Sequence, residues 1–306
     1  MKPRLFTPIS FVRRSAAGFS LIEMLVSLFV ASLMMTVMSG FVSTVVATKH
    51  NTSLVTEAQQ GVRSLLSMIT QELRQAGACL TPLGTFISLD GANTATQDSL
   101  TLRIGRVNTA TTPPTNRCIQ PGTTAEANPG STTLQVPANS GLRAGDQVFI
   151  TPNNVLGDFY TVQAASGTTV TLAPPLEDYD GLGTSYPVGT GIYPFDERVY
   201  AVDASDPDRP VLTAQINGAG PFPLVDGVKL FDVRYGLAPC DPQCATEVAF
   251  PLVDDDTNEW FLVREVRIKA TVQSHKKNRE GEFEEASTGK VGESGEYITI
   301  KPRNLL

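Results

Sequence analysis

The chain has little of what catalysis and metal binding usually draw on. Among 306 residues there are two histidines, His50 and His275, one tryptophan and four cysteines. A nucleophilic triad needs a base, most often histidine. His50 falls where the long apolar run ends, and His275 sits in a charged stretch. No Gly-x-Ser-x-Gly, phosphate-binding loop or His-Glu-x-x-His occurs. Acidic residues are many, but no spacing singles out a catalytic pair. Structural zinc needs paired cysteine knuckles or histidines at short spacing, and that pattern is missing. Asp254, Asp256 and Asn258 alternate as in a calcium loop. However, Glu259 stands where the sharp turn needs glycine, and the next run reads as a strand that would carry Glu265 away. The expectation is a chain without metal, cofactor or catalytic site, and not an enzyme.

Charge is missing in two places. Residues 24–48 contain no Asp, Glu, Lys or Arg, and the first 22 residues contain no acid but carry Lys2, Arg4, Arg13 and Arg14. About 20 apolar residues span a bilayer core, so the uncharged run is long enough to cross one. The basic flank predicts a cytoplasmic N-terminus, which puts the remaining chain outside the cytoplasm. Apart from those four basic residues, 20 basic residues face 31 acidic ones. An acidic remainder argues against nucleic acid, whose phosphates need clustered Lys and Arg. The one basic cluster, "HKKNR" at 275–279, runs into "EGEFEE" and reads as a solvated loop.

A secretory signal places small residues after its apolar core. Here "SAAG" at 15–18 comes before it, so the apolar segment is expected to be retained. An uncleaved signal anchor is the plainer alternative.

No proline occurs between Pro8 and Pro82. One helix over 19–76 is therefore expected, with Gly77 at its C-cap. Its first half is apolar all round. In its second half Val55, Val62, Leu66, Ile69, Leu73 and Ala76 recur at helical spacing, with Glu57, Gln60, Arg63, Ser67, Gln71 and Arg74 on the other side. That stripe calls for a globular layer on one face. Gly40, mid-helix, costs about 1 kcal/mol relative to alanine.

Beyond residue 80 the helical period disappears. Alternating runs at 99–106, 132–136, 145–151, 159–164, 168–173, 197–202, 210–216, 228–236, 260–273 and 296–302 read as strands between turn residues. Residues 107–130 and 275–295 read as loops, and 131–174 as a small β insertion of its own. The fold class is α+β: a long N-terminal helix, membrane-spanning in its first half, packed on an antiparallel β head.

Gly18, Phe19, Ser20, Leu21, Ile22 and Glu23, followed by the long apolar run, resemble the start of type IV prepilins and pseudopilins. The combination is specific: a carboxylate lies inside a membrane segment, and small residues precede that segment. The resemblance implies that a prepilin peptidase cuts between Gly18 and Phe19 and that Phe19 becomes N-methylated. The organisation would then be a leader at 1–18, a membrane and filament-core half-helix at 19–48, an amphipathic half at 49–78 and a head at 79–306. It further implies that Glu23 pairs with the N-terminal amine of a neighbouring subunit. The alternative is that Glu23 snorkels to water at the membrane interface without a partner.

"SMITQELRQAGA" at 67–78, the run at 199–237, "VREVRIKATVQS" at 263–274 and the final "RNL" resemble PilW-type minor pilins. GspJ-type minor pseudopilins of type II secretion share the layout in usually shorter chains. The proline-rich 107–130 and the charged 275–290 depart from the pattern. The implied partners are other minor pilins, the major pilin, the peptidase, the inner membrane and, as a further candidate, a tip adhesin. The implied location is the inner membrane with a periplasmic head, then the pilus or cell surface. The function implied is a structural one in pilus initiation or at the tip. A displayed adhesive head and a tethered enzyme are the competing readings.

The even cysteine count fits an oxidising compartment. Cys240 and Cys244 flank the turn-forming "DPQ" and could close a small loop, which leaves Cys79 and Cys118 for each other. Four cysteines allow three pairings, and the sequence does not choose among them.

Overall fold

The structure is a computed structural model that describes residues 20–80, 86–94, 97–108, 117–240, 243–251, 260–278, 281–288 and 296–302. The chain divides into two compact units, Met1–Thr52 and Ser53–Leu306. Helix α1, Leu21–Gln75, contributes to both.

In the first unit nothing covers the helix among the described residues. Its apolar side chains are exposed along the whole run, from Leu21 at 79% to Val46 at 52%. In the second unit a stripe at steps of three and four is buried: Leu54, Ala58, Val62, Leu65, Ile69 and Leu73, continued by Ala76 beyond the helix end. The stripe is rotated slightly from the expected one. Val55 and Leu66 are only half-buried, and Leu54, Ala58 and Leu65 face the core. Each fully buried Leu or Ile contributes about 1.5–3 kcal/mol. Gly77, at φ +75°, ends the helix in the left-handed conformation that favours glycine.

The strands of the head are β1 Leu89–Ala92, β2 Ser99–Gly105, β3 Val107–Asn108, β4 Arg117–Cys118, β5 Thr133–Gln135, β6 Gln147–Thr151, β7 Asp158–Ser166, β8 Thr169–Ala173 and β9 Gly191–Asp203. They continue with β10 Val211–Ile216, β11 Ala219–Asp226, β12 Val228–Cys240, β13 Cys244–Val248, β14 Val263–Lys277, β15 Phe283–Ser287 and β16 Ile298–Ile300. One nine-stranded sheet runs β1-β2-β9-β6-β7-β8-β5, with β10 on β9 and β11 on β10. A five-stranded sheet runs β13-β12-β14-β15, with β16 also on β14. All pairings are antiparallel. The main core joins the helix stripe to Leu100 and Leu102 of β2, Tyr200 of β9, Phe231 and Val233 of β12, and Val266 and Ile268 of β14.

Several expectations need correction. The segment 131–174 does have its own core, built on Leu134, Val148, Ile150, Val162, Val170 and Leu172. It is not a separate sheet, because β6 pairs with β9 from Gln147↔Phe195 to Thr151↔Gly191. Alternation along β6 serves both sides: Val148 and Ile150 face that core, and Phe149 packs with Leu80, Phe86 and Phe195 in another. The expected loop at 275–295 contains the end of β14 and all of β15. The expected loop at 107–130 holds the short β3–β4 ladder and two isolated bridges, Gly122↔Gly191 and Ala127↔Tyr186. Trp260–Leu262 form a 3₁₀ turn, and the strand begins at Val263.

Candidate assembly segment

The first turn of α1 positions Glu23. The Ser20 carbonyl accepts the amides of Glu23 at 3.0 Å and Met24 at 3.1 Å, so Ser20 starts the hydrogen-bond ladder. A carboxylate in this turn meets the partial positive charge of the helix N-terminus. No ion pair to Glu23 forms among the described residues. It is the only charged residue between positions 20 and 48. Gly18 and Phe19, the expected cleavage and methylation positions, lie outside the described residues.

Several hydroxyls in the segment after Glu23 bond back to the helix. Ser27 donates to the Met24 carbonyl at 2.9 Å, Ser32 to Phe29 at 2.8 Å, Thr36 to Ser32 at 2.9 Å and Thr44 to Gly40 at 3.0 Å. A hydroxyl that bonds back to its own helix needs no water, which suits a hydrocarbon surrounding. Length and composition are those of a helix able to cross a membrane.

The head is tied to the helix by polar contacts as well. Arg198 of β9 pairs with Glu72. Burial, with Glu72 beside it, pushes the Tyr200 phenol up to about 12. Cys79, just past the helix, is bonded to Cys118, with Cα atoms 5.2 Å apart. Cys240 is bonded to Cys244 across the β12–β13 turn. Of the two histidines, His50 is exposed on the helix, and the His275 Nδ1 lies 3.3 Å from the Arg209 guanidinium. His275 also lines a 320 Å³ cleft with Glu57, Gln60, Asp208 and Asp226. Asp254, Asp256, Asn258 and Glu259 lie outside the described residues.

Glu265, weighed in the sequence only as a calcium ligand, is brought by the fold into a different cluster. It is 1% exposed, yet it belongs to the outer face of β14 with Arg267. The register opposes it to Gly236. Its carboxylate oxygens lie 3.3 Å from Arg267 Nη2 and 3.3 Å from Lys301 Nζ. A carboxylate oxygen of Glu265 and the sulfurs of Cys240 and Cys244 lie within 4.8 Å of one another. The one sequence signal would have been the glycine opposite, and cross-strand register is not written in the sequence.

Residues 13–39 match the model of the prokaryotic N-terminal methylation motif. No curated protein and no solved structure matches the chain. The motif supports a type IV prepilin- or pseudopilin-like protein, and it implies processing by a prepilin peptidase and assembly with other pilins. With the apolar helix, it fits membrane anchoring.

Proposed function

We propose that the protein is a minor pilin of the PilW type, a structural subunit and not a catalyst, which primes or caps a type IV pilus. The peptidase cuts between Gly18 and Phe19, and Phe19 is N-methylated. The head faces the periplasm until assembly. The single observation that carries this reading is Glu23. It is a lone carboxylate at the start of the exposed, uncharged first half of the helix, inside the matched methylation motif. Cleavage would create an amine at Phe19, four residues from Glu23. In two helices packed with a small axial shift, one subunit's amine would meet the other's carboxylate, neutralise it and fix register.

The size of the head supports a terminal position. Two sheets and a second hydrophobic core fit poorly at every step of a thin fibre. Co-purification from detergent-solubilised envelopes tests the reading, combined with filament counts in a deletion strain. Recovery of other pilins, with few filaments in the deletion strain, is expected. Recovery of secretion pseudopilins would assign the GspJ reading instead. Normal filament numbers with lost surface attachment would make the head a displayed adhesin.

A further inference from the structure

We propose that Cys240, Cys244 and Glu265, once the disulfide between the cysteines is reduced, form a three-ligand site for a divalent cation of the zinc class. The three ligand atoms converge within 4.8 Å. Two thiolates and a carboxylate are a donor set suited to a borderline-soft, tetrahedral ion, with the fourth position left open. At metal–sulfur bonds of about 2.3 Å, two sulfurs on one tetrahedral ion sit roughly 3.8 Å apart. While Cys240 and Cys244 are bonded to each other their sulfurs cannot serve as thiolate ligands, so disulfide and metal are alternatives.

Charge points the same way. Glu265 and Glu247 face Arg267 and Lys301, and those four charges sum to zero. Reduction and deprotonation of both cysteines add two negative charges, which a divalent cation cancels. The Glu265 carboxylate is held ready at 1% exposure, and among the described residues its Oε1 accepts no hydrogen bond. Lys301, 3.3 Å from that oxygen, is 60% exposed and can swing into solvent. Gly236 lets the groups converge. A Cβ there would lie 3.0 Å from Cys244 Cβ, 3.1 Å from Cys244 Sγ and 3.1 Å from Glu265 Cβ.

The chemistry balances with a dithiol as reductant. Its thiolate attacks the half-buried Cys240 sulfur, and the buried Cys244 leaves as thiolate. The reductant's second thiol then releases Cys240, so the reductant ends as its own disulfide and the protein as a dithiol. Metal binding displaces the two thiol protons.

Cobalt(II) titration of the full chain in detergent micelles, reduced with a phosphine, tests the site. One equivalent should give thiolate-to-cobalt charge-transfer absorption, abolished by zinc and absent from the oxidised protein. Cys240→Ser with Cys244→Ser should remove it. Glu265→Gln should weaken binding at least tenfold. Lys301→Ala should tighten it by freeing Oε1, which holds the proposal open to refutation even if Glu265→Gln fails to fold. Three results would each overturn the site: no thiolate band in the reduced protein, a band that survives loss of both Cys240 and Cys244, or unchanged affinity in either the Glu265→Gln or the Lys301→Ala chain.

Discussion

Gly61 and Val272 meet where the helix lies on the sheet, with no room for a side chain between them: a Cβ on Gly61 would sit 2.8 Å from Val272 Cγ1. Valine is stiff, so the helix itself would have to lift. Gly61→Leu should destabilise the head by about 1–3 kcal/mol. Gly40 is the control, because nothing lies within 4 Å of a Cβ there. Trp260, the single tryptophan, is buried in the head and reports its unfolding. Denaturation of the full chain followed by its fluorescence should show a lower midpoint for Gly61→Leu and none of that loss for Gly40→Ala. Equal midpoints for wild type and Gly61→Leu would refute the tight contact.

Asp98 stitches the two sheets together. Its Oδ2 accepts the Val233 amide at 2.7 Å and its Oδ1 the Thr94 amide at 3.1 Å. An asparagine turns one acceptor into a donor facing an N–H, so Asp98→Asn should cost about 1–3 kcal/mol. Burial, partly opposed by those two bonds, holds the carboxyl above its usual 3.8. The folded chain therefore binds this proton more tightly than the unfolded one. That contribution is fully present below 3.8 and is lost as pH rises through the raised folded value. Stability measured across that window should fall with pH more steeply in wild type than in Asp98→Asn. Parallel curves would contradict the burial of this carboxylate.

The two disulfides should differ in weight. Cys79–Cys118 spans 39 residues and fixes the helix end to β4. The chain-entropy model values such a closure at about 4 kcal/mol, and the short Cys240–Cys244 loop at about 2 kcal/mol. Serine pairs at each bridge, compared in denaturant, should rank in that order. Non-reducing peptide mapping of exported protein should find both bridges, and four free thiols there would contradict them.

Much of this fold was legible because period is a local property. The helix stripe, the apolar half and most strands follow from spacing alone. What was missed is non-local or masked by composition. β11 reads "AGPFPLVD", whose two prolines disguise an edge strand that, among the described residues, pairs only with β10. β15 reads "FEEAS" and is recruited by β14 despite its charges. The insertion looked independent because its turns are local, and the β6–β9 ladder that merges it with the main sheet joins residues 40 to 48 positions apart. Glu23 stood out in the sequence because a charge in an apolar run is conspicuous. Glu265 did not, because its burial depends on a glycine across the sheet.

Glu23→Ala should separate insertion from assembly. Removing a charge makes the helix more apolar, so membrane integration should persist, and cleavage four residues upstream should continue. The loss should fall on the complex, where a buried unpaired amine costs about 3–5 kcal/mol. Glu23→Gln should be nearly as damaging, since the amide keeps shape without charge. Recovery of partner pilins with the processed variant should drop sharply. Undiminished recovery would make Glu23 a tolerated interfacial charge.

The most direct measurement is mass spectrometry of the N-terminal peptide of the protein purified from its native membrane. The expected peptide begins at Phe19, lacks residues 1–18 and carries one N-methyl group, and Gly18→Leu should block its appearance. A peptide that retains Met1 to Gly18 in assembled material, or one cleaved after the apolar run, would contradict the prepilin reading and leave a signal anchor or a secreted head in its place.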